Sequence, residues 1–103
     1  MAVVGSDTRL LGVVLMAALH KIFDAVLSGG SDANIRFNDL RRLLASLGFA
    51  ERVKGSHHIQ SHGLIPEILN LQPLPGGSAK PYQVKQVRQI VLKYGLSSRE
   101  HRK

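Results

Sequence analysis

The sequence predicts an α+β domain in the order helix, helix, three antiparallel strands, helix. Three observations predict it. Two segments in the first half carry apolar residues at helical spacing and end in glycine. A central stretch breaks into three short runs separated by Gly55 and by His62-Gly63. A last apolar-periodic segment opens at Pro81 and closes at Gly95. With 103 residues, the chain has room for one small core, which excludes a second independent domain.

The first helix is expected from Met16, with Leu19, Ile22, Phe23, Val26 and Leu27 on one stripe and Ser28-Gly29-Gly30 as its stop. Met1 to Leu15 stands apart as an apolar extension carrying two charges, Asp7 and Arg9. A membrane span needs about 20 consecutive apolar residues. The run Leu10 to Leu19 is about half that and meets His20, Lys21 and Asp24. A signal peptide needs a positively charged start, and the first eight residues hold no Lys or Arg. The extension is therefore read as a translated upstream segment or a loose arm, with Met16 as the start of the domain, which runs over 16–96.

After the turn-rich Ser31-Asp32-Ala33-Asn34, Asn38 is expected to cap a second helix with Leu40, Leu43, Leu44 and Leu47 inward and Gly48 at its end. Arg36, Arg41 and Arg42 fall off that stripe, as solvated charges do. The strands are expected at Phe49 to Lys54, Ser56 to Ser61 and Pro66 to Leu71. In the first, Phe49, Glu51 and Val53 share one face, and Ala50, Arg52 and Lys54 the other. In the second, His57 alternates with Ile59 and Ser61, and His58 with Gln60 and His62, so parity alone does not choose between the two imidazoles. Pro73 to Lys80 reads as a loop. Pro81 starts the last helix, with Val84, Val87, Val91 and Tyr94 inward, while Lys80, Lys85 and Arg88 form a basic ridge on its flank. The tail 97–103 is polar and basic.

Net charge is +7, from fourteen Lys and Arg against seven Asp and Glu. Arg99, Arg102 and Lys103 against Glu100 put +2 of it on the tail. Asp7 cancels Arg9, so +5 stays with the domain, and an anionic partner is the first expectation. The absence of Cys excludes a disulfide framework and a thiolate metal cage, and fits a reducing cytoplasm. His58 and His62 without a third firm ligand make a poor zinc site, so no metal and no cofactor are expected.

Chemistry concentrates in Val53-Lys54-Gly55-Ser56-His57-His58-Ile59, where two imidazoles follow a Gly-Ser hairpin and a lysine precedes it. His is the side chain suited to proton transfer near neutrality. RNA carries its own nucleophile, the 2′-hydroxyl, so its cleavage needs a base, an acid and charge stabilisation but no metal. A glycine in such a turn either brings backbone close to a phosphate or takes φ above zero.

The Gly55-Ser56-His57-His58-Ile59 block follows a Leu47-Gly48-Phe49 helix exit and precedes Lys80-Pro81 and the Val84 to Gly95 helix. In this order and spacing it resembles the HicA family of toxins from bacterial type II toxin–antitoxin systems, over roughly Leu19 to Leu96. The resemblance implies a fold similar to a double-stranded-RNA-binding domain (dsRBD-like) and an endoribonuclease, an mRNA interferase that arrests translation. It implies mRNA and a HicB-like antitoxin as partners, with no membrane. It places the catalytic role on His57, and Lys54, Gly55, Ser56, His58, Lys80, Lys85 and Arg88 are the expected RNA contacts. Two departures stand out: the apolar extension, and Gln60 where an aromatic residue is common, whose loss bears on packing or base stacking. A non-catalytic RNA-binding module, and a decayed toxin that only binds its antitoxin, are the alternative readings.

Overall fold

The computed structural model describes residues 7–97. The chain runs α1 (Asp7–Ser28), a single 3-10 turn (Asp32–Asn34), α2 (Phe37–Ser46), β1 (Ala50–Lys54), β2 (His57–His62), β3 (Ile65–Leu71) and α3 (Pro81–Tyr94). The strands form one antiparallel sheet in the order β1-β2-β3, and the helices cover one of its faces. The expected α+β class and element order hold, with strand bounds within one residue of those read from the sequence.

The core lies between that sheet face and the helices. Leu40, Leu43 and Leu44 of α2, Leu71 of β3, and Val84 and Val87 of α3 are almost wholly removed from water. Phe23 and Val26 enter it from the last turns of α1, with Ile22, Ala25 and Leu27 packed at its rim. At about 25 cal/mol per Å² of apolar surface removed from water, this junction is the main favourable term in the fold.

Two helix starts differ from expectation. The helix α1 begins at Asp7, not Met16, and runs unbroken across the boundary drawn at residue 15. Leu, Met, Ala and Val from Leu10 to Leu19, with one Gly and no Pro, let the helix propagate outward from its docked end. In that outer part Leu10, Leu11, Val13, Val14, Leu15 and Met16 are between 41% and 65% exposed, so the segment adds nothing to the core. Over Arg9–Ser28 the helix is long and apolar enough to cross a membrane by length and composition, yet its last turns are committed to the core through Phe23 and Val26. Residues 1–6 of the extension and 98–103 of the basic tail lie outside the described residues.

The helix α2 begins at Phe37, one residue before the expected Asn38 cap. Arg36 forms a bridge with Ser78, and the Phe37 N–H donates to the Gly77 carbonyl at 2.9 Å. The loop after β3 thus supplies the acceptor that a side-chain cap would have supplied. Asn38 accepts a bond from Arg41 Nη1 instead, at 2.9 Å. At the other end of the chain α3 closes as expected on Gly95, whose φ of 60° is left-handed.

Candidate functional site

Cross-strand pairing sorts the sheet into two faces. Glu51 pairs with Gln60, Val53 with His58, and Gln60 with Leu69. Gln60, 1% exposed, and the buried Leu69 mark this as the face toward the helices, with Val53 at its uncovered end. Lys54 pairs with His57, Arg52 with Ile59, and Ile59 with Asn70, so Arg52, Lys54, His57, Ile59 and Asn70 share the open face. No carboxylate stands on that face among the strand residues. Glu51 of β1 and Glu67 of β3 both turn to the helix side, where Arg41 and Lys93 take them up at 2.7 Å.

The hairpin that presents His57 is a two-residue turn, Gly55-Ser56, between the paired Lys54 and His57. Gly55 has φ +63°, and among the described residues no non-Gly residue, Ser56 included, has positive φ, which is the pattern of a II′ turn. A Cβ built on Gly55 meets nothing within 4 Å, so conformation and not crowding demands glycine here. Gly55→Ala is therefore expected to cost about 1 kcal/mol in chemical denaturation. Equal stability of the Ala variant and the wild type would remove this account.

His57 is exposed at the end of β2, and its Nδ1 lies 3.0 Å from Asn70 Oδ1. A carboxamide oxygen only accepts, so Nδ1 carries the hydrogen and the lone pair of the neutral ring sits on the other nitrogen, Nε2. Ser56 Oγ accepts from Gln72 Nε2 at 2.8 Å, and Gln72 Oε1 accepts from Lys80 Nζ at 3.3 Å. This chain of side chains draws the hairpin, the end of β3 and the start of α3 together. Gln83, 5% exposed, completes the junction: Oε1 accepts from the Gln72 N–H at 3.1 Å and Nε2 donates to the Asn70 carbonyl at 3.3 Å. One amide thereby takes up one backbone acceptor and one backbone donor at the C-terminal end of β3.

The expected site residues separate into those the fold brings together and those it does not. Lys54, Gly55, Ser56, His57 and Lys80 gather around the hairpin. Lys85 is exposed on α3. His58 points the other way, toward the helices, with Nδ1–H donating to Glu51 Oε2 at 3.1 Å and its ring edge-on to Phe37 at 4.9 Å. It is thus engaged in packing and hydrogen bonding within the protein, on the face opposite His57. Arg88 is likewise engaged within the protein. Its guanidinium bonds Asp32 at 2.9 and 3.1 Å and the Val26 carbonyl at 3.0 Å, with its side chain 16% exposed. It ties α3 to the end of α1, and the ridge expected of Lys80, Lys85 and Arg88 is not a single surface.

His62 is spent within the protein: Nε2–H donates to the Leu47 carbonyl at 3.1 Å and Nδ1 accepts from the Leu64 N–H at 3.1 Å. Gln60 is buried and donates to Glu51 Oε2 at 2.8 Å. An aromatic ring at this position would enter the helix–sheet junction and would meet no nucleobase.

Glu51 anchors a second cluster behind the sheet. Arg41 donates to both of its oxygens at 2.7 and 2.8 Å, and His58 and Gln60 add a bond each. The Arg41 guanidinium, above all, pulls its carboxyl down from 4.5 to about 2 against the opposing effect of burial, with His58 and Gln60 adding to the pull. The adjoining open cavity, about 370 Å³, is floored by Phe49 and Ala45 and rimmed by Asn38, Arg41 and Arg42. Both arginines are already paired, Arg41 with Glu51 and Arg42 with Asp39 at 2.9 Å.

Asn70, Gln72, Gln83 and Glu51 were not singled out by reading the sequence for chemistry. Glu51 carried a signal, since it alternates with Phe49 on a strand whose helix side is apolar, and a carboxylate there needs a partner. No family model, no curated protein and no solved structure matches this chain.

Proposed function

We propose that this chain is a HicA-type mRNA interferase: a metal-independent endoribonuclease of a bacterial type II toxin–antitoxin system. In this reading the fold is a dsRBD-like α-β-β-β-α domain with an added N-terminal helix, acting on mRNA in the cytoplasm. The observation that carries the reading is the open sheet face, where His57, held by Asn70, stands with Arg52 and Lys54 and with no carboxylate on the strands of that face, while Lys80 is joined to the same hairpin through Gln72 and Ser56. A polyanion is drawn to such a surface, and an imidazole there meets the phosphate backbone.

The reaction balances with these groups alone. His57 Nε2 takes the proton of the 2′-hydroxyl, and the freed oxygen attacks the adjacent phosphorus. The bond from phosphorus to the 5′-oxygen breaks, leaving a 2′,3′-cyclic phosphate on one fragment. The departing 5′-oxygen takes a proton from water, and the hydroxide so formed takes back the proton held by His57. Lys54 and Lys80 neutralise the charge that builds on the non-bridging oxygens. A HicB-like acidic antitoxin silences the toxin by covering the same face, and charge complementarity speeds its capture.

The test is cleavage of an RNA oligonucleotide beside the same oligonucleotide with a single 2′-deoxy substitution at the scissile position. The expected result is cleavage of the first to 5′-hydroxyl ends, no cleavage of the second, and no change with a chelator. Cleavage of the deoxy substrate, or a requirement for magnesium, would overturn the mechanism. Binding of RNA with no cleavage would make the protein a non-catalytic RNA-binding module.

A further inference from the structure

The chain has five aromatic residues, three Phe and two Tyr. Phe23, Phe37 and Phe49 are buried at 7% exposure or less. Tyr94 is packed at the core rim, and its hydroxyl donates to Glu67. Tyr82 alone presents its ring to solvent, at 59% exposure, and it does so in the first turn of α3. Its hydroxyl lies 3.5 Å from Gln83 Nε2, which itself lies 3.3 Å from the Asn70 carbonyl. Asn70 is the residue that holds His57. The exposed ring thus stands near the edge of β3, linked through Gln83 to the backbone of the residue whose side chain holds the proposed catalytic imidazole, and two residues from Lys80.

We propose that Tyr82 is the stacking platform of a nucleotide subsite, taking an unpaired base of single-stranded RNA next to the phosphate that meets His57. This deepens the nuclease reading and rests on it. A flat ring beside a lysine suits a nucleotide, with the base on the ring and the phosphate on the ammonium. An anchor for a protein partner would sit within a wider apolar patch, whereas the residues around Tyr82 in sequence are Lys80, Pro81, Gln83, Val84, Lys85 and Gln86, and the aliphatic one, Val84, is buried. The subsite supplies from α3 the stacking that the buried Gln60 position on β2 does not offer.

The experiment uses the His57→Ala protein, alone and combined with Tyr82→Ala or Tyr82→Phe. Each is titrated with single-stranded RNA oligonucleotides carrying 2-aminopurine at successive positions. The emission of one or two adjacent positions should change on binding to the parent. Tyr82→Ala should abolish that change and weaken affinity roughly tenfold to a hundredfold, and Tyr82→Phe should retain both. In the catalytically intact background Tyr82→Ala should raise KM more than it lowers kcat. The exposed ring leaves the fold intact when truncated, which far-ultraviolet circular dichroism checks.

Unchanged affinity and emission in Tyr82→Ala would overturn the subsite while leaving cleavage by the wild type, and the nuclease reading, in place. Tyr82-dependent stacking in a wild-type protein that cleaves no RNA would uphold the subsite and overturn the nuclease. Loss of binding to a protein partner with RNA binding unaltered would make Tyr82 part of a protein-docking surface and overturn the subsite.

Discussion

On the proposed mechanism, His57→Ala should lower the rate of RNA cleavage by a factor of about 10² or more and leave the thermal unfolding midpoint unchanged. The expectation combines two features of the same ring. It is exposed and gives the core nothing, so its removal opens no cavity. It is also oriented, because Asn70 Oδ1 accepts from Nδ1–H and so leaves the Nε2 lone pair to receive a proton. Loss of Asn70 would free the ring to rotate and change tautomer, so Asn70→Ala should reduce the rate by a smaller factor. His58→Ala should do the opposite of His57→Ala, lowering stability before rate, because His58 bonds Glu51 and packs edge-on against Phe37. Induction of each variant in a bacterium beside purified-protein kinetics separates the cases. Equal toxicity and equal cleavage by wild type and His57→Ala would remove His57 from the chemistry. Loss of cleavage in His58→Ala at unchanged stability would move the role to its neighbour.

The contrast between His57 and His58 shows what the sequence carried and where it stopped. Strand parity put the two imidazoles on opposite faces, but the face that met the helices depended on long-range pairing. Gln60 decided it. A polar residue reads as solvent-facing, yet the Glu51 carboxylate across the β1–β2 ladder gives its amide a partner in the interior, which turns Ile59 outward with His57. The helix stripes, the glycine stops and the three-strand meander were legible because each rests on local periodicity and turn chemistry. The start of α2 was not, since its acceptor arrives from Gly77, some 40 residues on. Arg88 shows the same limit. Its spacing from Lys85 suggested a shared ridge, and only the packing of α3 against the end of α1 brings Asp32 to it.

The two faces of the sheet answer to different demands. Acids on the helix side neutralise cations that pack there, as Glu67 does for Lys93 and Glu51 for Arg41. The open face is thereby left with Arg52 and Lys54 uncompensated across the strands. A domain surplus of +5 would attract a polyanion anywhere on its surface; this sorting concentrates the attraction where His57 stands.

Glu51→Ala should lower folding stability by about 2 kcal/mol, a fall of about 10 °C in melting temperature for a domain of this size. The carboxylate accepts four bonds, from Arg41 twice and from His58 and Gln60, and its truncation leaves the Gln60 amide buried at 1% exposure without an acceptor. A fully buried charge stripped of its partner costs about 3–5 kcal/mol. The side chains of Arg41 and Glu51 are 35% and 23% exposed, so water recovers part of that cost. The pH dependence carries the sign. With its carboxyl held at about 2 in the folded state against an ordinary value of 4.5, Glu51 stabilises the fold fully above pH about 4.5. That contribution is lost progressively as pH falls through 2, because protonation then costs the folded protein the Arg41 pairing. Denaturation at a series of pH values should therefore show wild-type stability falling from pH 4.5 toward 2. In Glu51→Gln that part of the slope should be missing, and in Arg41→Met, where His58 and Gln60 still hold the carboxyl down, it should be reduced. An identical acid limb in all three proteins would show that the Arg41–Glu51 pair contributes nothing to the pH dependence, and the cluster behind the sheet would lose its assigned role in holding β1 and β2 against α2.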